Sequence, residues 1–119
     1  MLAFKYRFHG HGSLRYVYKN GHAIRTHLLT LKYTKNPHRK HSRFSIVVSK
    51  KVHKSAVGRN RIRRRLYEII REQLPLMTSP SDVVLIVLSD EVRHMAPQEL
   101  QETITQLFTQ AGLHKGQES

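Results

Sequence analysis

The chain has 119 residues, no cysteine and a formal net charge of +13. That length holds one compact domain with one modest core, and the lack of cysteine excludes disulfides and thiolate zinc sites. The charge points away from a small neutral substrate and towards a polyanion. With no stretch of signal-peptide length at the N-terminus and no apolar run longer than Val83–Leu88, a cytoplasmic location is expected and a membrane partner is not.

Residues 1–12 are basic and aromatic, broken by His9-Gly10-His11-Gly12, and read as a flexible arm. The two histidines have no carboxylate or thiol beside them, so no metal site is read there. Ser13 is placed to cap a short helix, Leu14–Lys19, with Asn20-Gly21 as a left-handed stop. Thr26–Thr34 is rich in β-formers and predicts a strand. Residues 35–42, with Pro37 among them, predict a polar connector. Arg43–Ser49 predicts a second strand, paired with the first across a wide hairpin loop. Ser55 is the expected N-cap of a long helix that Pro75 closes. Ser81-Asp82 lead into Val83–Leu88, whose almost wholly apolar composition predicts a strand buried on both faces. Pro97 fits the first turn of a last helix. There Leu100, Ile104, Leu107, Phe108 and Ala111 repeat at helical spacing, and Gly112 stands at the stop position. Residues 113–119 are expected to fray. The order helix, strand, strand, helix, strand, helix predicts a single α+β domain over residues 13–112, with helices packed on a mixed sheet.

Charge is spread unevenly along this order. No Asp or Glu precedes Glu68, so residues 1–67 carry eighteen Lys and Arg unopposed, whereas residues 68–119 carry three basic and eight acidic residues. The densest cations surround the start of the long helix. That helix still keeps an apolar stripe, Ile62, Leu66, Ile69, Ile70 and Leu74, at the spacing of a half-buried helix. A disordered basic tail needs no such stripe. At about 100° per residue, Arg61, Arg64 and Arg71 fall opposite it, with Asn60 at its edge and Arg65 on its flank. The arginines are therefore mounted on a packed element, and a rigid cationic surface suits a polyanion of defined shape. Nucleic acid is the expected partner. An ordinary solvated helix face is the competing reading, weakened by the absence of compensating acids.

Three pieces of this stretch stand together: Ser49-Lys50-Lys51, then Ala56-Val57, then Arg59-Asn60-Arg61-Ile62-Arg63-Arg64. In them the chain resembles the protein component of bacterial ribonuclease P, and the likeness runs from about Ser13 to Gly112. The resemblance implies an α/β (α+β) two-layer sandwich with a left-handed β-α-β crossover, where general rules give a right-handed one. It implies an accessory subunit of an endoribonuclease that removes the 5′ leader from precursor tRNA. Catalysis would belong to the RNA subunit, with Mg2+ held by that RNA. The partners would be the catalytic RNA and precursor tRNA, with no DNA.

The same resemblance assigns residues. Lys50, Lys51, Lys54, Arg59, Asn60, Arg61, Arg63, Arg64 and Arg65 would meet the catalytic RNA. A cleft between the N-terminal helix and the sheet would take the single-stranded leader, with Leu14, Tyr18, Phe44 and Ser49 lining it and Tyr33 or Thr30 standing where the family has a first-strand aromatic. Three positions depart from the family pattern. Leu14 cannot stack as an aromatic would, Arg65 replaces an aliphatic, and Tyr67 replaces a basic residue. For Tyr16, Tyr18, Tyr33 and Phe44, ordinary half-buried packing competes evenly with base stacking. Histidines 27, 38, 41 and 53 lie in the basic half, where nearby phosphates would favour their charged form.

The residues read without the family agree on the chemistry. Protein-borne phosphodiester hydrolysis needs metal-binding carboxylates or an acid/base pair, and the acids of residues 68–119 form no such motif. No protein catalytic residue is assigned. The rival function is a structural RNA-binding protein of ribosomal type that takes no part in cleavage.

Overall fold

The computed structural model describes Arg7 and residues 11–36, 40–77 and 80–114. Most of the expected basic arm and residues 115–119 of the expected tail lie outside the described residues. Seven elements follow in chain order: α1 (His11–Asn20), β1 (His22–Arg25), β2 (Leu29–Lys35), β3 (Arg43–Val47), α2 (Ala56–Gln73), β4 (Ser81–Val87) and α3 (Pro97–Gln110). Short 3-10 turns at Leu74–Leu76 and Asp90–Arg93 follow α2 and β4.

The four strands form one sheet in the order β1-β2-β4-β3. β2 is antiparallel to β1 and to β4, with Ile24 opposite Leu31 and Leu31 opposite Leu85. β3 runs parallel to β4, Phe44 opposite Val83 and Val47 opposite Ile86. The sheet is mixed, as expected, but the expected hairpin between the second and third strands is not formed. β4 lies between them, and α2 makes the crossover that parallel neighbours require. Arg7 bridges to Phe44 on the other edge of β3. The four-residue strand β1 is not among the predicted elements, and the turn that follows it makes β2 start later than Thr26. Thr26 instead shapes the turn between them: its Oγ1 accepts the Leu28 and Leu29 amides at 3.2 and 3.1 Å.

Strand alternation divides the core between two faces. Leu29, Leu31, Phe44, Ile46, Val83, Leu85 and Val87 join α2 and α3 in the main core, with Ile62, Leu66, Ile70, Leu100, Ile104 and Phe108 fully buried against them. Each such side chain contributes about 1.5–3 kcal/mol by leaving water. On the other face a smaller cluster, Val17 and Val84 with Leu14, Val47 and Ile86, seats α1. β4 therefore has apolar partners on both sides, which its composition demanded.

Local chemistry sets the helix ends. Ser55, extended at φ −81 and ψ 132, accepts the Gly58 amide on its Oγ and caps α2. Pro75 lacks an amide proton, and α2 gives way to the 3-10 turn that contains it. α3 opens on Pro97 and closes on Gly112 at φ 74, where the Gly112 and Leu113 amides return to the Thr109 and Phe108 carbonyls. That closure buries Leu113 and His114, so the packed chain extends two residues past the expected stop. At the other end, α1 begins at His11, inside the stretch read as an arm. Gly21 is not left-handed, since Gly112 is the described glycine with positive φ. Gly21 is needed there for space: a Cβ would lie 2.5 Å from the Val17 carbonyl oxygen.

Candidate nucleic-acid interface

The turn after β3 and the first half of α2 form the cationic surface. Lys50, Lys51, Lys54, Asn60, Arg61 and Arg64 are exposed, and Arg63 is half-exposed. Ser49 is exposed at the strand end, where its carbonyl accepts the Val52 and His53 amides and folds the turn that carries the lysines. Arg63 donates to Asn60 Oδ1 at 2.5 Å, one turn back along the helix. Two assigned arginines are engaged with the protein itself. Arg59 Nη1 donates to the His53 carbonyl at 3.0 Å and to the Lys54 carbonyl at 2.8 Å. Arg65 turns away from the exposed row and donates to the Val92 and Arg93 carbonyls at 2.8 and 2.9 Å, and also to the Met95 carbonyl. Tyr67, which stands where the family pattern has a basic residue, is buried, with Arg7 5.9 Å from its ring centroid. Burial pushes its phenol pKa up.

A second surface lies on the opposite face of the sheet, beside α1. Tyr18 is 39% exposed there, and its phenol pKa is raised by partial burial. Lys32 stands on β2 with its Nζ 5.2 Å from the Tyr18 ring centroid. Leu14 points into the packing between α1 and the sheet rather than outward. Arg43, Ser45 and Val47 are the half-exposed β3 side chains on this face.

Two expected cleft residues are elsewhere. Phe44 is fully buried in the main core, stacked on Phe108 at 6.2 Å and 10° between planes. Tyr33 also faces the main-core side, packed against that core and 5.4 Å from the His22 ring. Both miss the α1 face because strand parity sends them to the other one. Thr30 has the right parity but is buried, 2% exposed. Lys32, unassigned from the sequence, is the β2 residue that meets Tyr18. Parity with Thr30 was the signal that would have found it.

The acids are dispersed and mostly committed. Arg43 grips Asp82 with two hydrogen bonds of 2.9 Å, Asn36 adds a third at 3.1 Å, and Glu68 pairs with Arg71 at 3.2 Å. Among the described residues, Lys50, Lys51, Lys54, Arg61 and Arg64 thus face solvent with no carboxylate paired to them, whereas Arg43 is held by Asp82.

Comparison with known proteins decides the family. The family model described as Ribonuclease P matches residues 2–112. The chain belongs to the ribonuclease P protein family. It is 37% identical over 97 residues to the ribonuclease P protein component of Synechocystis sp., covering 82% of this chain and 77% of that protein. Against the component from Oceanobacillus iheyensis it is 30% identical over 111 residues, covering 93% and 90%. The solved ribonuclease P protein of Staphylococcus aureus superposes with a TM-score of 0.80 at 24% identity, covering 92% of this chain and 98% of that one. That last likeness speaks for the fold alone. The chain is thus the protein component of a ribonuclease P holoenzyme, and its work is tRNA processing with an RNA component as partner.

Proposed function

We propose that the protein serves the holoenzyme through two surfaces on opposite faces of its sheet. Lys50, Lys51, Lys54, Asn60, Arg61, Arg63 and Arg64 hold the catalytic RNA by its backbone, where guanidinium forks and ammonium groups replace released counterions. Asn60 both donates and accepts, which suits a ribose hydroxyl beside a phosphate. The α1 face receives the single-stranded 5′ leader of precursor tRNA. There Tyr18 offers a ring for one base, worth about 1–3 kcal/mol, and Lys32 a cation for the adjoining phosphate. Phe44 and Tyr33 take no part.

Among the described residues no group of three or more His, Asp or Glu side chains is placed to hold a metal ion. We assign Mg2+ to the RNA component, and the protein's share is placement and charge. The observation that carries this reading is the exposed cation row on a helix whose other face is fully buried.

The test is cleavage of precursor tRNA at low magnesium by a bacterial ribonuclease P RNA, with and without this protein. Much faster appearance of the mature 5′ end with both present is expected. A protein that binds the RNA but never assists cleavage would instead be a structural RNA binder.

A further inference from the structure

We infer that Arg65 is a positioning residue for the catalytic-RNA surface, acting through Arg93 and His53 rather than by touching RNA. This rests on the reading of the lysine turn and α2 as that surface. The carbonyls of Val92 and Arg93 lie at the end of the 3-10 turn Asp90–Arg93, where backbone acceptors lack partners of their own. Arg65 supplies those partners from α2 at 2.8 and 2.9 Å. The turn so anchored holds Arg93 with its Nη1 2.9 Å from His53 Nε2. The Ser55 amide approaches the other ring nitrogen, Nδ1, at 3.2 Å. A neutral ring accepts from one of these donors at a time, so the tautomer decides which is the hydrogen bond.

Beneath the ring lies Gly58. A Cβ there would come within 2.1 Å of His53 Cε1, so the ring occupies space that only glycine leaves. Arg59 completes the arrangement by fixing the carbonyls of His53 and Lys54. One continuous set of contacts therefore runs from the middle of α2, through a turn forty residues away in sequence from His53, back to the segment that presents the lysines. Arg65 would have to leave its carbonyls to reach a phosphate, and leaving them would release the turn that holds His53.

The experiment measures binding of a bacterial ribonuclease P RNA to the full chain across a salt series, for wild type, Arg65→Leu, Gly58→Ala and Arg64→Ala. Arg65→Leu is expected to weaken binding about tenfold, within the range for residues coupled in one hydrogen-bond network, with the salt slope unchanged. Gly58→Ala, which displaces His53 from the other end, should reproduce that pattern. Arg64→Ala should instead flatten the log–log slope by about 0.7–0.9 for its lost phosphate. Hydrogen exchange in the free protein gives a readout independent of RNA. The Val52 and His53 amides should exchange faster in Arg65→Leu, while the Ile70 amide on α2 stays protected.

A slope flattened by Arg65→Leu as by Arg64→Ala would make Arg65 a direct RNA contact and overturn the inference. Unchanged affinity with a lowered Tm would reduce Arg65 to a stabilising residue and overturn it too. If wild type itself shows no salt-dependent binding, the subunit surface fails first and the inference falls with it.

Discussion

Replacing Asp82 by Ala tests a buried ion pair that joins β3 to β4 and, through Asn36, reaches the end of β2. The Asp82 side chain is 8% exposed and that of Arg43 16%. Two charge-assisted bonds of 2.9 Å join them, and Asn36 on the β2 side gives a third at 3.1 Å. Removing one partner of a fully buried pair costs about 3–5 kcal/mol, because the remaining buried charge loses its bidentate contact. Arg43 keeps a small exposed fraction, which places this case near the lower bound, at about 3 kcal/mol. For a domain of this size that corresponds to a Tm lowered by about 12 °C. The assay is thermal and urea unfolding followed by circular dichroism, with Arg43→Met/Asp82→Leu as the companion variant. Replacing both charges should recover much of the loss, since well-packed apolar residues often equal a buried pair. A loss below about 1 kcal/mol for Asp82→Ala, the range of an exposed pair, would refute this account of the pair.

Three further outcomes are expected. Phe44→Ala should cost about 3–5 kcal/mol of stability as a core truncation, yet leave discrimination between precursor and mature tRNA unchanged in binding assays below its Tm. Tyr18→Ala should weaken precursor tRNA about fivefold to a hundredfold, for one lost stacked base, and leave mature tRNA nearly unaffected; equal losses on both would exclude leader stacking there. Burial lowers the His114 pKa, and its Nε2 has no hydrogen-bond partner among the described residues. The unfolded chain therefore binds a proton that the folded one resists. Stability is fully present above the ordinary histidine value of about 6.5 and is lost as pH falls through it towards the lower folded value. Urea midpoints from pH 7.5 to 5 should drop less in His114→Leu than in wild type; identical drops would show that His114 plays no part.

What the sequence revealed followed from local rules. Ser55 as a cap, Pro97 in a first turn, Gly112 as a stop and the two-sided burial of Val83–Val87 are each decided within a few residues. Pairing was not local. Adjacent strands usually neighbour each other, and nothing in residues 26–49 announces that a strand beginning at Ser81 will come between them. β1 escaped notice because four residues with mostly exposed side chains carry no readable period. The leader surface suffered from the same gap: Tyr33 and Lys32 exchange faces with a one-residue change of register, and only pairing fixes that register. Arg65 looks like its neighbours in a run of arginines. Its distinction lies in the carbonyls of a turn nearly thirty residues further on, which no local pattern encodes.

The central place of β4 has a consequence for how the protein is made. During translation β2 and β3 emerge first, each with an edge that neither the other nor β1 can complete. At about 5–20 residues per second, the stretch between β3 and β4 takes about two to seven seconds to synthesise. By the end of that interval nineteen of the 21 Lys and Arg have been made, with no finished scaffold beneath them. Arrival of residues 81–87 fills the sheet in a single step and gives α2 the floor on which its arginines become a shaped surface. The seat of α2 is therefore complete only once β4, the last strand made, lies between β2 and β3.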